Sequence, residues 1–88
     1  MINEIVTVMT ATGEYVGKLM NMDGGNILLK DPRLITFTEN GMGFANGIAA
    51  TGIQNPKEVT ITQAIFFTET NPDVAKAWRQ ATSGIVLP

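Results

Sequence analysis

The sequence predicts a mainly β domain: a five-stranded, strongly bent open barrel with one helix at its C-terminal end. Three observations point there. Short β-branched runs recur between turn signals, as in Ile5-Val6-Thr7-Val8 and Glu58-Val59-Thr60-Ile61. Gly17 falls inside a strand-like run, and a strand glycine marks a bend or a close backbone approach. Little more than Gln63 separates two strand-like runs near the C-terminal end. That link is too short for a hairpin, so the chain must turn a sharp corner, as in a sheet curling toward a barrel.

The elements follow in order. The first strand covers about 4–10 and ends in the turn Ala11-Thr12-Gly13, where Gly13 is able to take a positive φ. The second covers about 14–22. Asp23-Gly24-Gly25-Asn26 is the clearest hairpin turn in the chain. The third strand, about 26–38, is interrupted at Asp31-Pro32, because proline lacks the amide that a central ladder needs. Residues 39–56 carry four glycines and read as a hairpin arm turning at Asn40-Gly41, or a long loop. Strands at about 57–62 and 64–70 follow. The helix covers about 72–82. Asn71 suits the N-cap, Pro72 the first helical position and Asp73 the positive end of the dipole. Val74, Ala77, Trp78 and Ala81 share one face by their spacing, and Ser83-Gly84 supplies the stop. The chain reads as one domain, 1–88.

Composition removes several function classes. An 88-residue chain buries only about 60% of its unfolded surface, so its core is marginal and self-association is a common remedy. Charged residues are 16% of the chain, against a usual share of about 25%. So sparse a charge suits a surface partly covered by copies of itself. The net charge of −2 argues against indiscriminate binding to phosphate backbones. There is no Cys and no His, so there is no disulfide framework, no thiolate metal site and no imidazole base. The carboxylates are scattered at turns and strand ends and form no acid–base pair. We therefore expect no enzyme activity, no metal and no cofactor. Met9, Met20, Met22 and Met42 read as core or interface filler. Met1-Ile2-Asn3-Glu4 has no basic region followed by a long apolar stretch, so no signal peptide is expected, and no apolar run approaches the roughly 20 residues that cross a bilayer. The expectation is a soluble, cytoplasmic protein with no membrane partner.

One stretch narrows the small-barrel reading. Gly13-x-Tyr15-x-Gly17-x-Leu19-x-x-Met22-Asp23 resembles the first motif of the Sm, Lsm and Hfq superfamily. In that pattern a turn glycine opens the second strand, another lets it bend, and an Asp sits in the turn before the third. Ile27-Leu28-Leu29-Lys30 is similar to the third strand of Hfq, and Thr62-Gln63-Ala64-Ile65 to its Lys-His-Ala-Ile corner. Glycine-bent strands also occur in SH3-like and OB barrels. The Sm resemblance implies a homo-oligomeric ring of about five to seven subunits, in which the fourth barrel strand of one copy pairs with the fifth of the next and removes both free edges. It further implies contact with single-stranded RNA near the pore, through Asp23, Gly25, Asn26, Thr62 and Gln63. The chain is also similar to small Sm-like proteins carried by bacteriophages, which implies a host cytoplasm.

The sequence departs from the family pattern in three ways. Sm-like chains usually open with a helix across the barrel, whereas this sequence enters its first strand almost at once, and the C-terminal helix is expected to take that place, on an open barrel end or a neighbour. The segment between the third and fourth barrel strands is long. The RNA-reading residues are poorly kept: the family's base-holding Asn falls at Ile27 by count, with Asn26 one residue early. Gly25 stands where Hfq has a stacking aromatic, and Ile61-Thr62-Gln63 replaces a Tyr-Lys-His corner. Asp23, Asn26, Thr62 and Gln63 can still hydrogen-bond to bases or ribose. Two readings follow: a ring that binds single-stranded RNA weakly, or an assembly ring that has lost RNA binding.

Overall fold

Strand β1 (Ile5–Thr10) is bounded by a turn whose own hydroxyl closes it. In this computed structural model, which describes residues 1–45 and 47–83, Thr10 Oγ1 accepts from the amides of Thr12 and Gly13 at 3.2 and 3.1 Å. That is the hydroxyl-to-backbone turn expected of threonine. Gly13 does not take a positive φ there. Its lack of a side chain matters instead, because a Cβ would sit 2.8 Å from Leu34 Cδ1.

Strand β2 (Gly13–Asp23) pairs with β1 and with β3 (Asn26–Thr38), all antiparallel. The β2–β3 turn is Gly24-Gly25, with φ of 56° and 88°. Positive φ at both central residues is the signature of a type I′ turn, which glycine adopts without steric cost. Strand β3 is continuous across Asp31-Pro32. The expected interruption is instead a bulge: Asp31 and Pro32 lie opposite the single residue Gly17. Asp31 takes φ of 50°, a conformation that Asp tolerates better than most residues. A second register shift, at Met20, puts the extra residue on β2. Each bulge bends its strand and increases the local twist.

At Gly17 a Cβ would meet Leu29 Cβ and Lys30 O at 3.2 Å and Pro32 Cα at 3.3 Å. None of these atoms is the free end of a flexible side chain. Gly17→Ala is therefore expected to cost about 1–3 kcal/mol through overpacking. An unchanged midpoint in urea unfolding would show that the strands part there without strain.

The arm expected in 39–56 begins as a hairpin. Strand β4 (Gly41–Phe44) folds back on β3 around Glu39-Asn40, with Gly41 at φ of 107°. The chain then leaves β3 after Ala45, whose amide donates to Leu34 O at 2.9 Å. It returns at Lys57, whose carbonyl accepts from the Asp31 amide at 2.7 Å, and continues as β5 (Glu58–Ile61) along the same edge of β3. Residues 47–56 thus belong to an insertion pinched at its base, with a bridge between Gly47 and Gln54.

After Thr62-Gln63 the chain enters β6 (Ala64–Glu69), which pairs with β1. The sheet therefore has six strands: β4-β3-β2-β1-β6, with β5 also on β3. β5 and β6 lie at opposite ends of the path β5-β3-β2-β1-β6. On a flat sheet those ends would stand roughly 19 Å apart. Two residues joining Ile61 to Ala64 span at most roughly 11 Å, so the sheet must curl. It does not close, because among the described residues β5 and β6 do not pair with each other.

Two apolar clusters occupy the two faces of this sheet. Val6, Val8, Leu19, Ile27 and Leu29 form one, joined by Tyr15, Val59, Ile61, Ala64 and Phe67. Ile5, Val16 and Ile35 form the other with Ala75 and Trp78 of helix α1 (Pro72–Thr82). The helix starts as its sequence predicts, with the Asn71 side chain accepting from the Asp73 amide at 2.9 Å. It packs on the sheet of its own chain. Its buried residues are Ala75 and Trp78; Val74 packs against the same cluster, while Ala77 is half-buried and Ala81 exposed, so the core face takes Val74 and Trp78 from the stripe predicted from spacing and is turned from it toward Ala75. Ser83 is the C-cap; the predicted stop at Gly84 lies outside the described residues. Met22 and Met42 are exposed and Met9 and Met20 half-buried, so none of the four fills the core. No helix among the described residues is long and apolar enough to cross a membrane.

Candidate nucleic-acid and assembly surfaces

The β2–β3 turn sets Asp23 and Asn26 directly opposite each other, both exposed, across Gly24-Gly25. Strand alternation then turns Ile27, one residue on, into the core, where it is 4% exposed. By position in the fold, Asn26 is the polar side chain available beside Asp23, and Ile27 is not.

This turn forms one wall of an open groove of about 490 Å³, and the start of β6, Ala64 to Phe67, forms the other. Three of the five sequence-predicted residues, Asp23, Gly25 and Asn26, therefore share a groove with β6. Thr62 and Gln63 do not line it. They line a second groove, of about 360 Å³, with Thr10, Tyr15 and Ile48. The structure divides the predicted set at the corner between β5 and β6.

The first groove holds a feature that the sequence reading missed. Phe66 lines it and is 54% exposed, and its neighbour Ile65 is 67% exposed. Phe67 instead pairs with Val8 and packs against the interior cluster. A signal for this was present: Ala64-Ile65-Phe66-Phe67 is four apolar residues in succession, and a strand with one buried face cannot turn all of them inward. Phe66, paired with Met9, points away from Phe67 by strand alternation, and the register shift between Met9 and Thr10 leaves Ile65 as the extra residue of β6.

Chemically the groove offers an aromatic face, an amide and a carboxylate. Asp23 is its one charged lining residue. An arrangement of this kind suits stacking and hydrogen bonding at bases, which carry no charge, and gives phosphate no cation to approach.

The second surface is an edge. β5 pairs with β3 on one side and β6 with β1 on one side, so among the described residues each strand has an edge with no partner strand. Unpaired edges present rows of amide and carbonyl groups ready for another chain. No protein-family model matches this chain, and no curated protein matches it.

Proposed function

We propose that the chain is an Sm-like subunit that assembles with copies of itself into a ring, the free edge of β5 adding to β6 of the next copy. The observation that carries this reading is the placement of the unpartnered edges of β5 and β6 at opposite ends of one curled sheet, the two strands joined by only Thr62-Gln63. A surface with one edge of each kind, repeated by rotation, closes into a ring in which both of these edges are paired. Exposed Ile65 on β6 supplies apolar area beside the new ladder.

Native mass spectrometry of the full chain tests the assembly. The expected result is one ring of defined subunit number. Ile65→Lys, which sets a charge on the edge strand, is expected to give a folded monomer with an unchanged circular dichroism spectrum. A wild-type chain that stays monomeric at micromolar concentration overturns the ring.

Contact with single-stranded RNA is a second reading, and one observation favours it. The groove sets Asn26 and Asp23 beside exposed Phe66, so β6 supplies the stacking ring that Gly25 lacks. Each stacked base is worth about 1–3 kcal/mol. Anisotropy with labelled U-rich and A-rich oligonucleotides should show binding that Phe66→Ala weakens about tenfold or more. Binding should respond little to salt, because the groove's lining includes no cation. If no oligonucleotide binds to an intact ring, the assembly role stands alone.

A further inference from the structure

The β3–β4 arm carries an apolar stripe that only half fits under the helix. Ile35 pairs with Phe44, and two residues further out Phe37 pairs with Met42. Directly paired and i, i+2 residues share a face, so all four lie on the side covered by α1. Ile35 is buried there and Phe44 packs against the same cluster. Phe37 is 72% exposed and Met42 43%. An 11-residue helix reaches only about 16 Å, and Phe37 and Met42 are left largely uncovered.

Helix α1 has a matching leftover. Ala75 and Trp78 face its own sheet. Val74, Ala77 and Ala81 form an adjacent flank at i, i+3, i+7 spacing. Of these, Val74 packs against its own cluster, while Ala77 is half-buried and Ala81 exposed. Within one copy this flank leaves Phe37 uncovered.

The topology says which molecule can bring the two together. β4 and β5 lie on the same edge of β3, linked through the Ala45–Leu34 and Lys57–Asp31 hydrogen bonds. That is the edge at which the next copy adds in the ring reading, on which this inference rests. β5 runs antiparallel to β3. A β6 laid antiparallel on β5 therefore runs in the direction of β3, from Asn26 toward Thr38. The chain that follows it, Asn71 and then α1, is delivered toward the arm and not away from it.

We propose that the arm of each copy clasps the next: Phe37 and Met42 pack on the apolar flank of the neighbour's α1, around Ala77 and Ala81. The contact is heterologous, so it repeats around a ring without a mismatch. It makes the helix, which covers its own sheet with one stripe, a part of the subunit interface with the next stripe.

The chain has no cysteine, which makes a direct test clean. Phe37→Cys chains and isotope-labelled Ala77→Cys chains are mixed, allowed to exchange, and treated with a short bis-maleimide. A mixed-mass cross-linked pair is expected, and neither variant alone should give a comparable yield. In parallel, Phe37→Ser with Met42→Ser is expected to raise the concentration at which the ring half-dissociates by about tenfold or more. If the ring forms but no mixed pair appears and the dissociation midpoint does not move, the clasp is wrong and the edge-paired ring stands. If the wild-type chain never assembles, the ring and the clasp fall together.

Discussion

Trp78→Ala is expected to lower stability by about 3–5 kcal/mol, the range for truncating a buried aromatic. Trp78 is 5% exposed and packs with Ile5, Val16, Ile35 and Ala75. Its indole Nε1 also donates to Asp31 O at 2.9 Å, across 47 positions of sequence. The substitution opens a cavity between helix and sheet and removes the donor for that carbonyl. Small domains have only about 5–15 kcal/mol in total, so a large share of the margin disappears. Trp78→Phe keeps most of the apolar contact and loses chiefly the hydrogen bond, so a smaller cost of about 0.5–1.5 kcal/mol is expected from that bond. Urea unfolding followed by circular dichroism separates the two, at one fixed protein concentration because assembly shifts the midpoint. Equal losses for both variants would mean that the hydrogen bond, and not the packing, holds the helix.

Leu29→Ala should be nearly as severe, at about 2–5 kcal/mol. Leu29 is fully buried and lies directly across from Leu19, itself 1% exposed. Val6, Val8 and Ile27 complete the cluster, and residues so tightly enclosed cannot collapse to fill a void. Leu28, its neighbour, is only half-buried and points to the opposite face by strand alternation. Leu28→Ala should cost distinctly less. The same denaturation experiment decides the matter, and a Leu28 effect as large as that of Leu29 would contradict the register between β2 and β3.

Read along the chain, the local features were legible because neighbouring residues decide them. Gly24-Gly25 writes its turn through the φ values that only glycine takes freely. Asn71, Pro72 and Asp73 write the start of the helix through a cap, a fixed φ and a dipole. The β-branched runs around Val8 and Val59 write strands. The close approach at Gly17 was readable as well, since a glycine inside a strand implies a bend or something close by, and Leu29, Lys30 and Pro32 are what crowds it.

Asp31-Pro32 shows where that legibility stops. From the sequence it reads as a break; in the fold it is a bulge, whose Asp31 carbonyl holds Trp78 and whose Asp31 amide holds Lys57. Both partners are distant in the chain, so no local pattern could name them. The helix face is similar: the stripe through Ala77 and Ala81 and the stripe through Ala75 are both consistent with helical spacing, and the orientation of α1 on Ile5, Val16 and Ile35 chooses between them. The site followed the same rule. Asp23, Gly25 and Asn26 were visible as a polar turn, but Phe66 became their neighbour only when the sheet brought β6 beside that turn, with Phe67 facing inward and Phe66 into the groove.

Sequence by itself determined the mainly β class, the order of the strands, the sharp corner at Thr62-Gln63 and the single C-terminal helix, because each depends on contacts only a few residues apart. Tertiary structure alone decided that, among the described residues, β5 and β6 end at opposite edges with no partner strand, that the chain leaves one edge of β3 after Ala45 and rejoins it at Lys57, and that Phe37, Met42, Ile65 and Phe66 stand uncovered. Those outcomes depend on pairings between distant strands, whose register is set by which apolar residues can be buried together.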